Sequence, residues 1–188
     1  MPLAHTLDIL VTTLQRKGIA MGPHLRAGLS RAKLQAVLAP LGLTPPAEVY
    51  ELYAWHDGVD GVHAPELLFG ENQFLSFRNA LQEYQALMKH YGQVASSIQI
   101  AQCFPFAGFQ GSTWAVYCDP NLVDGLQHPV LEIYHGISIA FENLEHMVQT
   151  VDEWFVAGIY DTEPVNEALR SAIRQRLNPR TPCRTSTL

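Results

Sequence analysis

Thr113-Trp114-Ala115-Val116-Tyr117-Cys118 is an unbroken run of strand formers, and Asp119-Pro120-Asn121 turns the chain directly after it. Two further β segments follow, Pro129–Tyr134 and Ile137–Ala140, separated by the tight turn His135-Gly136, and together they read as a hairpin. Upstream, Ile98–Phe106 is apolar but interrupted by Pro105. A strand there is expected at a sheet edge, or to end at the proline. The middle of the chain is therefore β.

Working outward, the remaining signals are helical. Leu3, Leu7, Leu10, Val11 and Leu14 recur at helical spacing, so 3–16 reads as an amphipathic helix, followed by a loop to Gly28. Ser30 caps a short helix to about Ala39 with Leu34, Val37 and Leu38 inward. Thr44-Pro45-Pro46-Ala47-Glu48 starts another, with Val49, Leu52, Tyr53 and His56 on one face, broken at Asp57-Gly58. A loop runs on to Pro65. Short strands are expected at 66–69 and 74–77 around a Gly70–Gln73 turn, then a helix over 78–91 stopped by Gly92. Asn143 caps a helix over 144–157, and Val165, Leu169, Ile173 and Leu177 mark a last one ended by Asn178-Pro179. Helices enclose a β middle, which predicts an α+β fold with a central antiparallel sheet, residues 178–188 forming a flexible tail.

The 188 residues suit one domain, and 47% hydrophobic composition excludes a disordered chain. No apolar run approaches the roughly 20 residues that span a bilayer, and the N-terminus lacks a basic signal-peptide region, so a cytoplasmic protein is expected. The net charge of −6 is unevenly spread. Residues 1–43 hold five bases and one acid, residues 44–169 hold 17 acids and two bases, and residues 170–188 hold five arginines and no acid. So acidic a body argues against nucleic-acid binding and suits a basic protein partner, unless the basic termini fold back onto it.

Chemistry-bearing motifs are sparse. Cys103, Cys118 and Cys183 form no C-x-x-C pair, and the eight histidines form no H-x-x-x-H arrangement. His56 and His63, flanking Asp57 and Asp60, are too loosely spaced for a metal site. Cys103 or Cys118 with His128 or His135 would make a nucleophile pair, yet Cys118 falls inside a strand where a buried thiol is expected. Ser112 sits in no nucleophile elbow, 108–111 lacks the spacing of a phosphate loop, and Asp152-Glu153 point to different helix faces. No enzyme, metal or cofactor is expected. Trp114 reads as core, and Trp55 equally well as core or as a recognition anchor.

Three segments carry a family resemblance. They are Leu43-Thr44-Pro45-Pro46 leading through Tyr50, Leu52 and Tyr53 into Trp55-His56-Asp57-Gly58; Phe104-Pro105-Phe106-Ala107 with Gly108, Gly111 and Trp114–Asp119; and Ile139-Ala140-Phe141-Glu142-Asn143-Leu144. In this order and spacing the chain resembles the SUKH superfamily, the Smi/Knr-like proteins, over about 30–158. Asp-Gly stands where that family more often has Asn-Gly, and Phe109-Gln110 replaces the usual acidic or amide residue of its glycine loop. Residues 1–29 and 159–177 fall outside the match, as a terminal helix with its loop and a helix packed on the domain. The resemblance implies a non-enzymatic protein-binding domain. Many bacterial members look like immunity proteins that neutralise toxins of nuclease or deaminase type, and fungal relatives are linked to cell-wall regulation. The expected function is toxin neutralisation by direct binding, with a Smi/Knr-type scaffold as the alternative and a cysteine enzyme as a remote third. Loop position and residue type nominate Trp55, Asp57, Asp60, Phe109 and Gln110 for partner binding. No membrane partner is expected, and the apolar face of 3–16 would suit either its own domain or a homodimer.

Overall fold

The computed structural model describes residues 2–60, 68–92, 98–121, 124–161 and 164–181. Helix α1 (Leu3–Arg16) buries Leu3, Leu7, Leu10 and Leu14 against helix α5 (Leu144–Val156) and helix α3 (Ala47–Trp55). Its apolar stripe is thus covered within the chain. Helix α2 (Arg31–Leu38) starts where expected, with Ser30 Oγ accepting from the Lys33 amide, and buries Leu34 and Leu38. Val37 points outward at 39% exposure, because the eight-residue helix presents only one turn-spaced pair to the core.

Strands β3 (Gln73–Phe74), β4 (Cys103–Phe109), β5 (Ser112–Tyr117), β6 (Val130–Ile133) and β7 (Ile137–Phe141) form one antiparallel sheet in sequence order, giving the expected α+β class. Alternation splits its side chains between two faces. Phe104, Trp114, Val116, Val130 and Phe141 join the larger core with α1, α3 and α5. Cys103, Ala115, Tyr117, Leu131, Ile133 and Ile139 form the smaller one with Leu87 of helix α4 (Phe77–Tyr91). Helix α6 (Glu167–Leu177), capped by Asn166, leans on α5 and buries little besides Ile173.

Several expectations change. Strand β4 is internal and runs through Pro105, whose ring sits beside an irregularity in the pairing with β5. Strand β3 pairs only as far as Ala107 and Gly108, so the side of β4 facing it makes no ladder bond at the proline. The stretch 22–28 is not a plain loop: Gly22–His24 is a 3-10 turn, and β1 (Leu25–Ala27) pairs with β2 (His56–Val59). His56 belongs to β2 rather than to α3, and its Nδ1 lies 2.7 Å from the Arg26 carbonyl oxygen. Gly58, at φ +76°, passes so close to Ser76 that a Cβ would lie 2.3 Å from its amide nitrogen.

At 74–77 the strand stops after Phe74, since Ser76 Oγ accepts from the Asn79 amide and starts α4 at Phe77. Leu68 and Phe69 lie in a turn closed by a Phe69–Asn72 bridge, and the rest of the expected 66–69 strand lies outside the described residues. The tail begins ordered: Asn178 and Thr181 are buried, while 182–188 are outside the described residues.

The basic ends fold back on the acidic body. Lys17 pairs with Asp161, Arg26 with Asp60, Arg170 with Glu71 and Glu167, Arg176 with Glu153, and Arg180 with Glu142.

Candidate functional site

The topology gathers four separated segments at one end of the sheet. Residues Gln110 and Gly111 link β4 to β5, with Phe109 facing Ser112 and φ of 49° and 87° at the two turn residues. Both positive angles identify the tight two-residue hairpin turn whose twist matches that of the strands. Tyr134 leaves β6 at the same end, because Thr113 pairs with Ile133, and β3 brings in Glu71 and Asn72 beside Gly108. Helix α6 closes the side with Glu167, Arg170, Ser171 and Arg174.

Between α6 and the larger-core face of the sheet lies a cleft of about 750 Å³. Its floor is aromatic, formed by Trp114, Phe141 and Trp154. At its mouth stand Phe109 and Tyr134, 44% and 54% exposed. Arg170 organises the α6 wall. Its guanidinium lies 4.8 Å from the Trp154 ring centre and bonds to Glu71 at 3.0 Å and Glu167 at 3.3 Å. The Trp154 indole N–H donates to the Arg170 carbonyl, tying α5 to α6 at the same point. Glu132, inward on β6, faces Trp114 across the ladder.

Two residues lining this cleft each carry a buried polar atom with no hydrogen-bond partner among the described residues: Trp114 Nε1, a donor, and Asn72 Oδ1, an acceptor. Both residues are nearly inaccessible, at 3% and 4%. Burying such groups without a partner costs about 1–3 kcal/mol each.

Compared with family models and with curated proteins, the chain matches none.

The five nominated residues divide between two places. Phe109 and Gln110 are at the mouth of the cleft. Trp55, Asp57 and Asp60 are on the α3–β2 junction, where each has an internal partner. Trp55 Nε1 donates to Asp8 at 2.8 Å and its ring stacks on Phe74. Asp57 accepts from the Phe77 amide at 2.6 Å, and Asp60 pairs with Arg26. Asn72, Trp114, Tyr134 and Arg170 were not nominated. A usable signal was Glu132, a charge inside the apolar strand Val130-Leu131-Glu132-Ile133. Charges inside strands mark a face that meets something other than core.

Burial pushes the thiols of Cys103 and Cys118 up to about 12. Neither supplies a thiolate near neutral pH. Among the described residues no three His, Cys, Asp or Glu side chains gather to hold a metal ion; His63 and Cys183 lie outside them. No helix among the described residues is long and apolar enough to cross a membrane.

Proposed function

We propose that the chain is a non-enzymatic, SUKH-like binding domain of the immunity type, working in the cytoplasm and neutralising a basic protein toxin by direct contact. The observation that carries this reading is the pair of exposed aromatic side chains, Phe109 and Tyr134, on adjacent hairpin ends at the mouth of the cleft. Single exposed hydrophobics are ordinary, but two aromatics rimming one aromatic-floored cleft match the anchors of protein interfaces. The raised thiols support binding over cysteine chemistry. The internal partners of Trp55, Asp57 and Asp60 move the binding surface away from the α3–β2 junction and towards the hairpin end.

The test is capture of a partner from the native host by the tagged chain, with identification by mass spectrometry. The Phe109→Ala/Tyr134→Ala variant is expected to lose at least about tenfold in affinity for the captured protein, as removal of two anchors does. Asp60→Asn, which removes only an exposed ion pair, is expected to bind normally. Undiminished binding by the double variant would refute the reading.

A further inference from the structure

Resting on that reading, we propose that α6 is a lid on the binding cleft. A partner seated on the rim reaches the aromatic floor only when the clasp at the end of α6 opens.

The cleft presents its rim and withholds its floor. Phe109 and Tyr134 are exposed, whereas the floor rings of Trp114, Phe141 and Trp154 belong to residues at most 3% exposed. Those rings form a continuous row, with centres 5.1 Å apart from Trp114 to Phe141 and 6.0 Å apart from Phe141 to Trp154. Such a row is the apolar surface against which an interface anchor packs. With α6 in place it offers a partner almost nothing to touch.

Helix α6 walls the row without being packed into it. Of its own side chains only Ile173 is buried. Over Trp154 it lays a guanidinium instead of an apolar side chain, Arg170 at 4.8 Å from the ring centre, and the Arg170 carbonyl accepts from the indole N–H at 3.0 Å. Lifting α6 therefore gives up little apolar burial, and water replaces the polar bonds it breaks. An element fastened in this way opens at a lower free energy than the whole domain unfolds.

The two anchors of α6 decide which end opens. Before it, the chain is pinned to the body by the buried Ile159 and by the Lys17–Asp161 bond at 2.7 Å. Beyond it, the clasp is made of hydrogen bonds and an ion pair: Asn178 bonds to the Glu142 amide and Thr150 Oγ1, and Arg180 holds the Glu142 carboxylate. Release of the clasp frees the far end of α6, while Phe109 and Tyr134 stay fixed on the sheet. A partner on the rim then gains the floor, and its apparent affinity scales with the fraction of molecules whose clasp is open.

Two measurements on the full-length chain test the lid. The first needs no partner: hydrogen exchange of the Trp154 indole N–H is followed by NMR across low urea concentrations, beside the amides of Leu10 and Leu14 in α1. Lid opening exposes little surface, so the Trp154 signal is expected to depend weakly on urea and the α1 amides steeply, as global unfolding does. Equal slopes would overturn the proposal. The second compares the affinity of the captured partner for Asn178→Ala and Leu10→Ala. Both variants destabilise the folded chain, but only Asn178→Ala breaks the clasp. It is expected to bind about tenfold more tightly than the native chain, with Leu10→Ala unchanged. A purely structural Asn178 gives no such gain, so unchanged or weaker binding by Asn178→Ala overturns the lid, as does equal tightening by Leu10→Ala. Loss of binding in Phe109→Ala/Tyr134→Ala with no gain in Asn178→Ala would remove the lid alone. Normal binding by the alanine pair would refute the protein-binding reading itself.

Discussion

Helices α1 and α6 lie at opposite ends of the chain, both lean on α5, and they are fastened by opposite means. Helix α1 places four leucines, each at most 2% exposed, in the main core. Helix α6 buries only Ile173 among its own residues and is held by polar contacts. Asn178, fully buried at its C-terminus, accepts from the Glu142 amide and donates to Thr150 Oγ1 and the Arg174 carbonyl. The Arg180 amide and guanidinium both bond to Glu142, and Arg176 pairs with Glu153. Apolar attachment has no proton to gain and no ion pair to screen, whereas polar attachment is weakened by both acid and salt. The helix that walls the cleft is therefore the one that solution conditions can loosen.

The comparison is open to attack at each end. The largest effect is expected from Leu10→Ala, which should cost about 3–4 kcal/mol in urea or thermal unfolding and lower the stability of the whole domain in one transition. If only the exchange protection of α1 fell, its place in the main core would be disproved. Asn178→Ala comes next, at about 2–3 kcal/mol, because it strands the buried Glu142 amide and removes the bonds that Thr150 Oγ1 and the Arg174 carbonyl accept. Its signature should be faster hydrogen exchange in α6 with α1 still protected; uniform loss across both helices would erase the distinction.

Acid gives the third effect. Burial alone would raise the Glu142 carboxyl, but the bonds and charge of Arg180 outweigh it and hold it below the usual carboxylate range. A carboxylate lowered on folding contributes its stability at neutral pH and loses it as pH falls through the lowered value. Helix α6 should thus gain exchange progressively as pH falls below 4.5, and Glu142→Gln should reproduce about 1–2 kcal/mol of that loss at pH 7. Equal exchange of α6 in the Gln variant and the native chain would refute the role of Glu142. Smallest is the effect of 1 M salt, about 0.5 kcal/mol or less, through exposed pairs such as Arg176–Glu153. It should appear in α6 and be absent from the leucine face of α1.

The two helices also differ in how plainly their residues announce them. Leucines four and three apart are a direct image of the buried face of α1, so its span needs no tertiary information. The β5 run and the β6–β7 hairpin are legible for the same reason, since strand formers and turn residues act locally. Pro105 misleads because the usual exclusion of proline assumes ladder bonds on both sides of the strand, and β3 ends before reaching it. The cleft is the least legible part. Asn72, Phe109, Trp114, Tyr134 and Arg170 come from distant segments, and only strand register, with the docking of α6 on α5 for Arg170, makes them neighbours. Trp114 is read correctly as buried, but nothing local shows that its indole N–H has no acceptor among the described residues. Phe109 and Gln110 are nominated from loop position alone, and the turn itself is not legible, since Gln110-Gly111 lacks the Asn or Asp that usually advertises it.

That turn has one more consequence. With Phe109 paired to Ser112 and only two residues between them, the backbone carrying the aromatic ring is already fixed by the ladder. A partner settling on Phe109 would freeze little more than two side-chain torsions, about 0.5–1.5 kcal/mol of entropy, instead of ordering a floppy loop. The left-handed backbone at Gln110 is a strain that the ladder on either side imposes and holds. Gln110→Asn should relax the turn without changing its shape, so the ring would be presented identically on a slightly more stable hairpin.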